Sequence, residues 1–459
     1  MVLGGVSGLF VLAAAYSVVR GGIASLLPFA LPCLLAAVMA GLLLRLEESR
    51  RVAAAMAVLS AMAALWAGDA FLATRPVLET RDDVRAEAAR VAGVSPDPRS
   101  MVEVVGALRR TGVDAWPAVY IGNHWQGRSL FRDTLYPLAS ISGVTSVMCR
   151  EASYVVYRSD EHGFTNPPGQ WRMTQAELAL VGDSYVMGWC VRPQDSFAAA
   201  IRARHAATIV LGHGASGPLT QLGQMREYLG PLRPRHVLWF YYEENDLPDL
   251  TAEQANRLLA RYLEPGFTQR LAGRQAEVDQ RLRTFSVQAE SAASRRASTR
   301  AAAAPRGGAG RAAWSILTLG HLRRRLTALR QPPPPLRPCC DLPLLRRVMG
   351  AMQATVAGWG GDLAVVYLPS EYRLAGRPMR PGERAGDRVV AIADSLGVAV
   401  LDLRPVLGRY GSARDLFVYQ DAHFTVRGHR AVATLVLDFL AHRDSLGTRR
   451  DTPRLATRH

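Results

Sequence analysis

The sequence predicts an α/β protein, a doubly wound sheet of five parallel strands preceded by three membrane-spanning helices. Three observations predict it. Short apolar runs alternate with helical stretches from residue 177 onward, three long runs before residue 75 are nearly free of charge, and short motifs rich in Gly, Asp, Asn and His fall just after several of the strands. Strands are expected at 177–182, 207–211, 236–242, 362–368 and 397–403, separated by helices at 195–204, 218–230, 343–358 and 383–395, with a final helix at about 426–441. The run Leu178-Ala179-Leu180-Val181 has no polar alternation, as a parallel strand covered on both faces requires.

The apolar runs Val2–Val19, Gly21–Leu44 and Val52–Ala73 each approach the ~20 residues needed to cross a bilayer. The first lacks a basic leader and a cleavage site, so it reads as an uncleaved helix, and Pro28 and Pro32 would kink the second. Arg45, Arg50 and Arg51 cluster between the second and third runs against Arg20 alone between the first and second. Arginine-rich connectors stay cytoplasmic, which places everything after Ala73 outside: a bacterial inner-membrane protein with a periplasmic or extracellular domain.

Residues 1–75 thus form a membrane region, 76–100 a polar linker ending at Ser95-Pro96-Asp97-Pro98, 101–445 the main domain and 446–459 a disordered tail. Within the main domain, 101–176 mixes short β-rich runs with turns and reads as a flap or extra layer, and 251–340 reads as an insertion. The insertion is Ala-, Gln- and Arg-rich and helical to about residue 300, low-complexity over Ala301–Arg311 and stiff over Pro332–Pro335. Trp314, Leu317, Leu322, Leu326 and Leu329 recur at helical spacing beside Arg323, Arg324 and Arg325, a basic amphipathic helix suited to a membrane surface, a lid, or simple packing on the domain.

The net charge of +16 comes entirely from arginine, since the chain has no lysine. Residues 251–330 hold 15 Arg against 5 Asp and Glu, so most of the excess sits in the insertion. An external domain makes anionic lipid or acidic polysaccharide the expected partner of such charge, and no nucleic acid is expected. The five cysteines do not define a disulfide framework by count. Cys33 lies in a membrane run, and bonds involving Cys149, Cys190 or the Cys339-Cys340 pair are all open. No zinc-site spacing occurs, no metal or cofactor is expected, and His213 and His429 read as structural.

The chemistry-bearing motifs are Gly182-Asp183-Ser184-Tyr185 after the first strand and Asp421-Ala422-His423-Phe424 before the last helix. A serine hydroxyl becomes a nucleophile when an imidazole takes its proton, and a carboxylate fixes that imidazole's tautomer, so Ser184, His423 and Asp421 are candidates for nucleophile, base and orienter. Each has a structural alternative: Ser184 as a helix cap, His423 as a capping or core histidine, Asp421 as a cap. In this arrangement the chain resembles the SGNH or GDSL hydrolase superfamily over about Val155 to Leu440, outside the insertion. Gly182-Asp183-Ser184 resembles its first block. Gly214, in Gly212-His213-Gly214-Ala215-Ser216-Gly217, resembles the second, and Asn245, in Tyr241-Tyr242-Glu243-Glu244-Asn245-Asp246-Leu247, the third, with His423 in the fourth.

The resemblance implies a flavodoxin-like strand order and an oxyanion hole made by the backbone amides of Ser184 and Gly214 and the Asn245 side chain. Gly214 and Asn245 also fit plain turn residues, and Asp183 and Asp246 read as loop braces. The commonest fourth block has its aspartate three residues before the histidine, where this chain has Gln420. Asp421, two before it, is similar to the Asp-x-His spacing of the alginate O-acetylation branch, and Ser159-Asp160-Glu161-His162-Gly163-Phe164-Thr165-Asn166-Pro167 resembles a segment that precedes the first block in such proteins. The expected activity is that of a membrane-anchored esterase or O-acyltransferase acting on ester groups, acetyl above all, of cell-envelope polysaccharide. A membrane protein that delivers acyl groups is a candidate partner. The alternative is a non-catalytic scaffold of the same fold that binds glycan in an export or acetylation complex.

Overall fold

The computed structural model describes residues 11, 38, 47–74, 89–90, 95, 97–120, 134–149, 153–303, 319–320, 322–323, 339–418 and 423–445. The chain divides into two units, Met1–Glu79 with Ala303–Pro333, and Thr80–Ala302 with Pro334–His459. In the first unit, helix α1 (Glu48–Thr74) contains one stretch, Glu48–Leu72, long and apolar enough to cross a membrane by length and composition. At 1.5 Å per residue it spans about 40 Å. The first two apolar runs fall outside the described residues except for Val11 and Val38. Asp69 is buried, and its carboxylate accepts the Leu322 backbone N–H at 2.7 Å. Most of the amphipathic stretch from Trp314 to Leu329, the proline run 332–335 and the tail 446–459 also lie outside the described residues.

The second unit begins with α2 (Met101–Arg110). Ser100 caps it in a reciprocal box, accepting from the Glu103 N–H at 3.3 Å while the Glu103 carboxylate accepts from the Ser100 N–H at 2.6 Å. A small sheet follows, made of β1 (Ala115–Pro117), β2 (Thr145–Met148) and β3 (Val155–Arg158), with β1 parallel and β3 antiparallel to β2.

The main sheet contains β4 (Leu178–Gly182), β5 (Thr208–Gly212), β6 (His236–Tyr242), β7 (Asp362–Leu368) and β8 (Ala399–Asp402), all parallel in the order β5-β4-β6-β7-β8. This is the doubly wound order in which the second strand of the sheet lies outside the first. Side-chain alternation feeds two cores. Ala179, Val181, Val237, Trp239 and Tyr241 face one layer, whereas Leu178, Leu180, Leu238, Phe240 and Tyr242 face the other.

Among the described residues, the helices that contribute to the first core include α5 (Pro218–Gln224), α6 (Asp246–Glu253), α7 (Gln275–Ala303), α8 (Leu342–Ala357) and α9 (Gly386–Ser395). The second face is covered by α4 (Phe197–Arg202) and α10 (Val426–Ser445), through residues such as Phe197, Ile201, Val432 and Val436. Within the 251–340 stretch, α7 inserts Val278, Leu282 and Phe285 into the first core, at the i, i+4, i+7 spacing of one helix face. Among the described residues Cys149 bonds to Cys190 across 41 residues, and Cys339 bonds to Cys340.

Candidate active site

Ser184 opens the one-turn helix α3 (Ser184–Met187) directly beyond β4. Asp183 caps that turn by accepting the Tyr185 N–H at 2.9 Å. The turn lies tight against β5. A Cβ on Gly212 would fall 2.2 Å from the Met187 nitrogen and 2.5 Å from the Val186 carbonyl carbon, so only glycine lets α3 approach this closely. Gly182 and Gly212 are register partners at the ends of their strands, which brings the two loops that follow side by side.

His423 arrives from the opposite direction. Phe417 and Phe424 form an isolated antiparallel bridge, and the Val418 N–H donates to the His423 carbonyl at 2.7 Å. This pairing just ahead of α10 sets the imidazole Nε2 2.9 Å from the Ser184 hydroxyl oxygen, although the two residues are 239 positions apart. Aromatic rings surround the imidazole, Tyr185 at 5.2 Å and Trp189 at 5.7 Å between centroids, and Tyr185 in turn packs on Tyr242 at 4.2 Å and Phe424 at 4.7 Å. Ser184 is buried, with 8% of its surface exposed. Asp421 and Gln420 lie outside the described residues.

Gly214 sits in the loop after β5. That loop is tied to the nucleophile turn by the His213 N–H to the Gly182 carbonyl (3.3 Å) and by the Ser216 hydroxyl to the same carbonyl (3.2 Å). Asn245 follows β6, and its side-chain N–H₂ donates to the Asp183 carboxylate at 3.2 Å. The amide is thereby fixed beside the residue preceding Ser184, with its second proton uncommitted to that bond. Asp246 accepts the Tyr242 N–H at 2.6 Å and the Gln221 side chain at 3.3 Å. Burial pushes the Asp183 carboxyl above its ordinary range, and burial together with the neighbouring Asp183 pushes Asp246 well above it. Two carboxyls thus brace the loops carrying Ser184 and Asn245.

His213 and His429 are both fully enclosed. Burial lowers His213 to about 4, and its Nε2 contacts the Val119 carbonyl at 2.9 Å. Burial, then the nearby His423, lowers His429 to about 3, and its Nδ1 accepts the Phe197 N–H at 3.2 Å. Both imidazoles are neutral at physiological pH and join separate chain segments.

Two residues absent from the sequence-derived site approach it from outside the sheet. Tyr120 follows β1, and a Cβ on Gly214 would meet its Cδ1 at 2.4 Å. Trp189 follows α3 and meets Tyr120 edge to face at 4.5 Å. The only signal available in the sequence was the run Trp189-Cys190 close behind the first motif. At the far side of the crevice, buried Glu243 pairs with Arg373 at 2.8 Å and accepts the Ser370 N–H, which steadies the loops after β6 and β7.

The class of arrangement is clear from this geometry: a doubly wound α/β sheet with a serine–imidazole pair at the carboxyl ends of its strands. No family model and no curated protein matches the chain. Among solved structures it is similar to a lipase/acylhydrolase from Enterococcus faecalis, with 10% identity and a TM-score of 0.34 over 59% of this chain and 97% of that one. Function is therefore read from the site's own geometry.

Proposed function

We propose that the protein is a serine-dependent acyl-transfer enzyme, an esterase or O-acyltransferase that works through an acyl-enzyme on Ser184. The observation that carries this reading is the 2.9 Å approach of His423 Nε2 to the Ser184 hydroxyl at the mouth of the parallel sheet. Ser184 attacks an ester carbonyl as His423 takes its proton. Negative charge then grows on the carbonyl oxygen, and the backbone amides of Ser184 and Gly214 with the Asn245 side chain are the donors assigned to it. His423 returns the proton to the leaving alcohol. The acyl group stays bonded to Ser184 until water or a sugar hydroxyl, deprotonated by the same imidazole, attacks its carbonyl carbon; the bond to Ser184 Oγ then breaks and the imidazolium returns its proton to that oxygen. Asp421 is assigned to steady the imidazolium.

The substrate class belongs to the same proposal. A domain tethered at the outer face of a bacterial membrane meets envelope glycans, so acetyl esters of such polysaccharide are the assigned substrate. The apolar stretch Glu48–Leu72 supports the tether. A separate membrane protein would supply acyl groups if the acceptor is a sugar.

The test is hydrolysis of a short-chain aryl ester by the full-length protein in detergent. Wild type should turn over, and Ser184→Ala and His423→Ala should each lose at least ~10³-fold in kcat, because members of such a unit fail together. Equal rates in wild type and both variants would favour a glycan-binding scaffold.

A further inference from the structure

Ser184 lies between two structures that come from outside its own strand and turn. On one side is the oxyanion loop with Gly214, and on the other is the His423 imidazole. Tyr120 lies so close over Gly214 that a Cβ there would sit 2.4 Å from Cδ1 and 2.8 Å from Cε1 of its ring. Trp189 stands 5.7 Å from His423 on one side, and on the other it meets the Tyr120 ring at 4.5 Å with an interplanar angle of 71°. The pair forms a continuous aromatic roof that links the Gly214 loop to the imidazole contacting Ser184.

This roof is anchored at both ends. The Ala118 N–H donates to the Val147 carbonyl in β2 at 2.8 Å, and the Val119 carbonyl meets His213 Nε2 at 2.9 Å, so the segment carrying Tyr120 is pinned to the residue next to Gly214. Trp189 is fixed by its N–H to the Ser184 carbonyl at 3.0 Å and by the Cys190–Cys149 bond, which joins the next residue to the end of β2. Both bonded cysteines hold left-handed backbone, φ 66° at Cys190 and 60° at Cys149. Such a conformation is unfavourable in a residue with a side chain and persists where its surroundings impose it. Beneath the pair, Ala118, Met148, Val155, Tyr157 and Met187 form one packed cluster.

We propose that Tyr120 and Trp189 set the acyl-chain specificity of the site, closing the space above Ser184 so that only a short acyl group lies against the oxyanion loop. This inference rests on the acyl-transfer reading, from which it takes the position of the acyl group. Once Ser184 Oγ and the oxyanion are placed, the acyl chain and the leaving alkoxide take the two remaining positions on the tetrahedral carbon, and with the oxyanion turned toward Gly214 the acyl chain takes the side of the Tyr120 ring. Rings clamped through a disulfide and a buried histidine contact yield little to a longer chain. One methylene too many in such a pocket typically costs ~10- to 200-fold in kcat/KM.

The experiment measures kcat/KM for aryl acetate, butyrate and octanoate with full-length protein in detergent, normalised to serine titrated by a fluorophosphonate probe. Wild type should favour acetate. Tyr120→Ala should raise the octanoate-to-acetate ratio at least tenfold, and Tyr120→Phe, which keeps the ring, should keep the wild-type ratio. Trp189→Leu opens the roof from the other end and should shift the ratio in the same direction, which answers the question if Tyr120→Ala does not fold. Failure of the probe to label wild type at Ser184 would remove the acyl-transfer reading itself. Labelling with an unchanged ratio in the alanine and leucine variants would overturn the roof alone.

Discussion

Gly212→Ala is the most revealing single perturbation, because the atoms that object to it are backbone. The new Cβ would lie 2.2 Å from the Met187 nitrogen, 2.5 Å from the Val186 carbonyl carbon and 2.6 Å from the Met187 Cα, where ordinary contact begins near 3.4 Å. No rotamer change relieves this, so α3 and the end of β5 must separate by about 1 Å, and a displacement of that size in a reacting group costs ~10²-fold. The separation acts on the turn that holds Ser184, while the backbone of His423 is set by the Phe417–Phe424 bridge outside that turn. The 2.9 Å contact therefore lengthens. The account predicts a fall of about 10²-fold in kcat/KM for aryl acetate and a parallel fall in the rate of fluorophosphonate labelling, with far-UV circular dichroism unchanged. Wild-type kinetics in a folded Gly212→Ala protein would refute the claim that this close approach positions the nucleophile.

Three further outcomes follow from the same geometry. Asn245→Ala removes an assigned oxyanion donor and should lower kcat by ~10²–10³ with KM little changed, read in the same ester assay; a change confined to KM would remove Asn245 from the oxyanion site. His213 and His429, held near 4 and 3 by burial against an ordinary 6.5, take up protons more readily in the unfolded chain, so stability should fall as pH drops from 6.5 toward those values, by on the order of 3 kcal/mol for each by pH 4.5. Denaturant titrations between pH 7.5 and 4.5 read this, and His213→Gln should flatten the slope; an unaltered slope would contradict the burial argument. A compartment-sensitive reporter fused after residue 80 should be active only outside the cytoplasm, and cytoplasmic activity would overturn the proposed orientation.

The main sheet was legible in the sequence because its strands are covered on both faces. Leu178–Gly182 and the runs that follow His236 and Asp362 are apolar throughout, and the strands Leu178–Gly182, His236–Tyr242 and Asp362–Leu368 end within a residue of expectation. The strand expected at 397–403 is shorter in the structure, Ala399–Asp402, where it closes the edge of the sheet and, among the described residues, pairs with β7 alone. The contributions of the small sheet were less visible. β1 has three residues and pairs with a strand 30 positions later, a long-range contact that leaves little periodicity behind. α7 was expected as a helix within an insertion, and its full role in the first core emerges only when Val278, Leu282 and Phe285 are seen facing it.

At the site, Ser184 and His423 were legible from motif types that chemistry constrains. The cysteine pairing, the Asp183–Asn245 bond and the Tyr120–Trp189 roof were not, because each joins segments whose local sequence is ordinary.

The central claim is that one hydroxyl carries the acyl group, and intact mass measurement tests it most directly. Full-length protein is mixed with an aryl acetate, quenched in acid within the first turnovers and weighed, then digested to locate the adduct. The account predicts one added acetyl, about 42 Da, on the peptide containing Ser184, absent from Ser184→Ala and much reduced in His423→Ala. An acetyl carried elsewhere, or none at all while ester is being consumed, would contradict it.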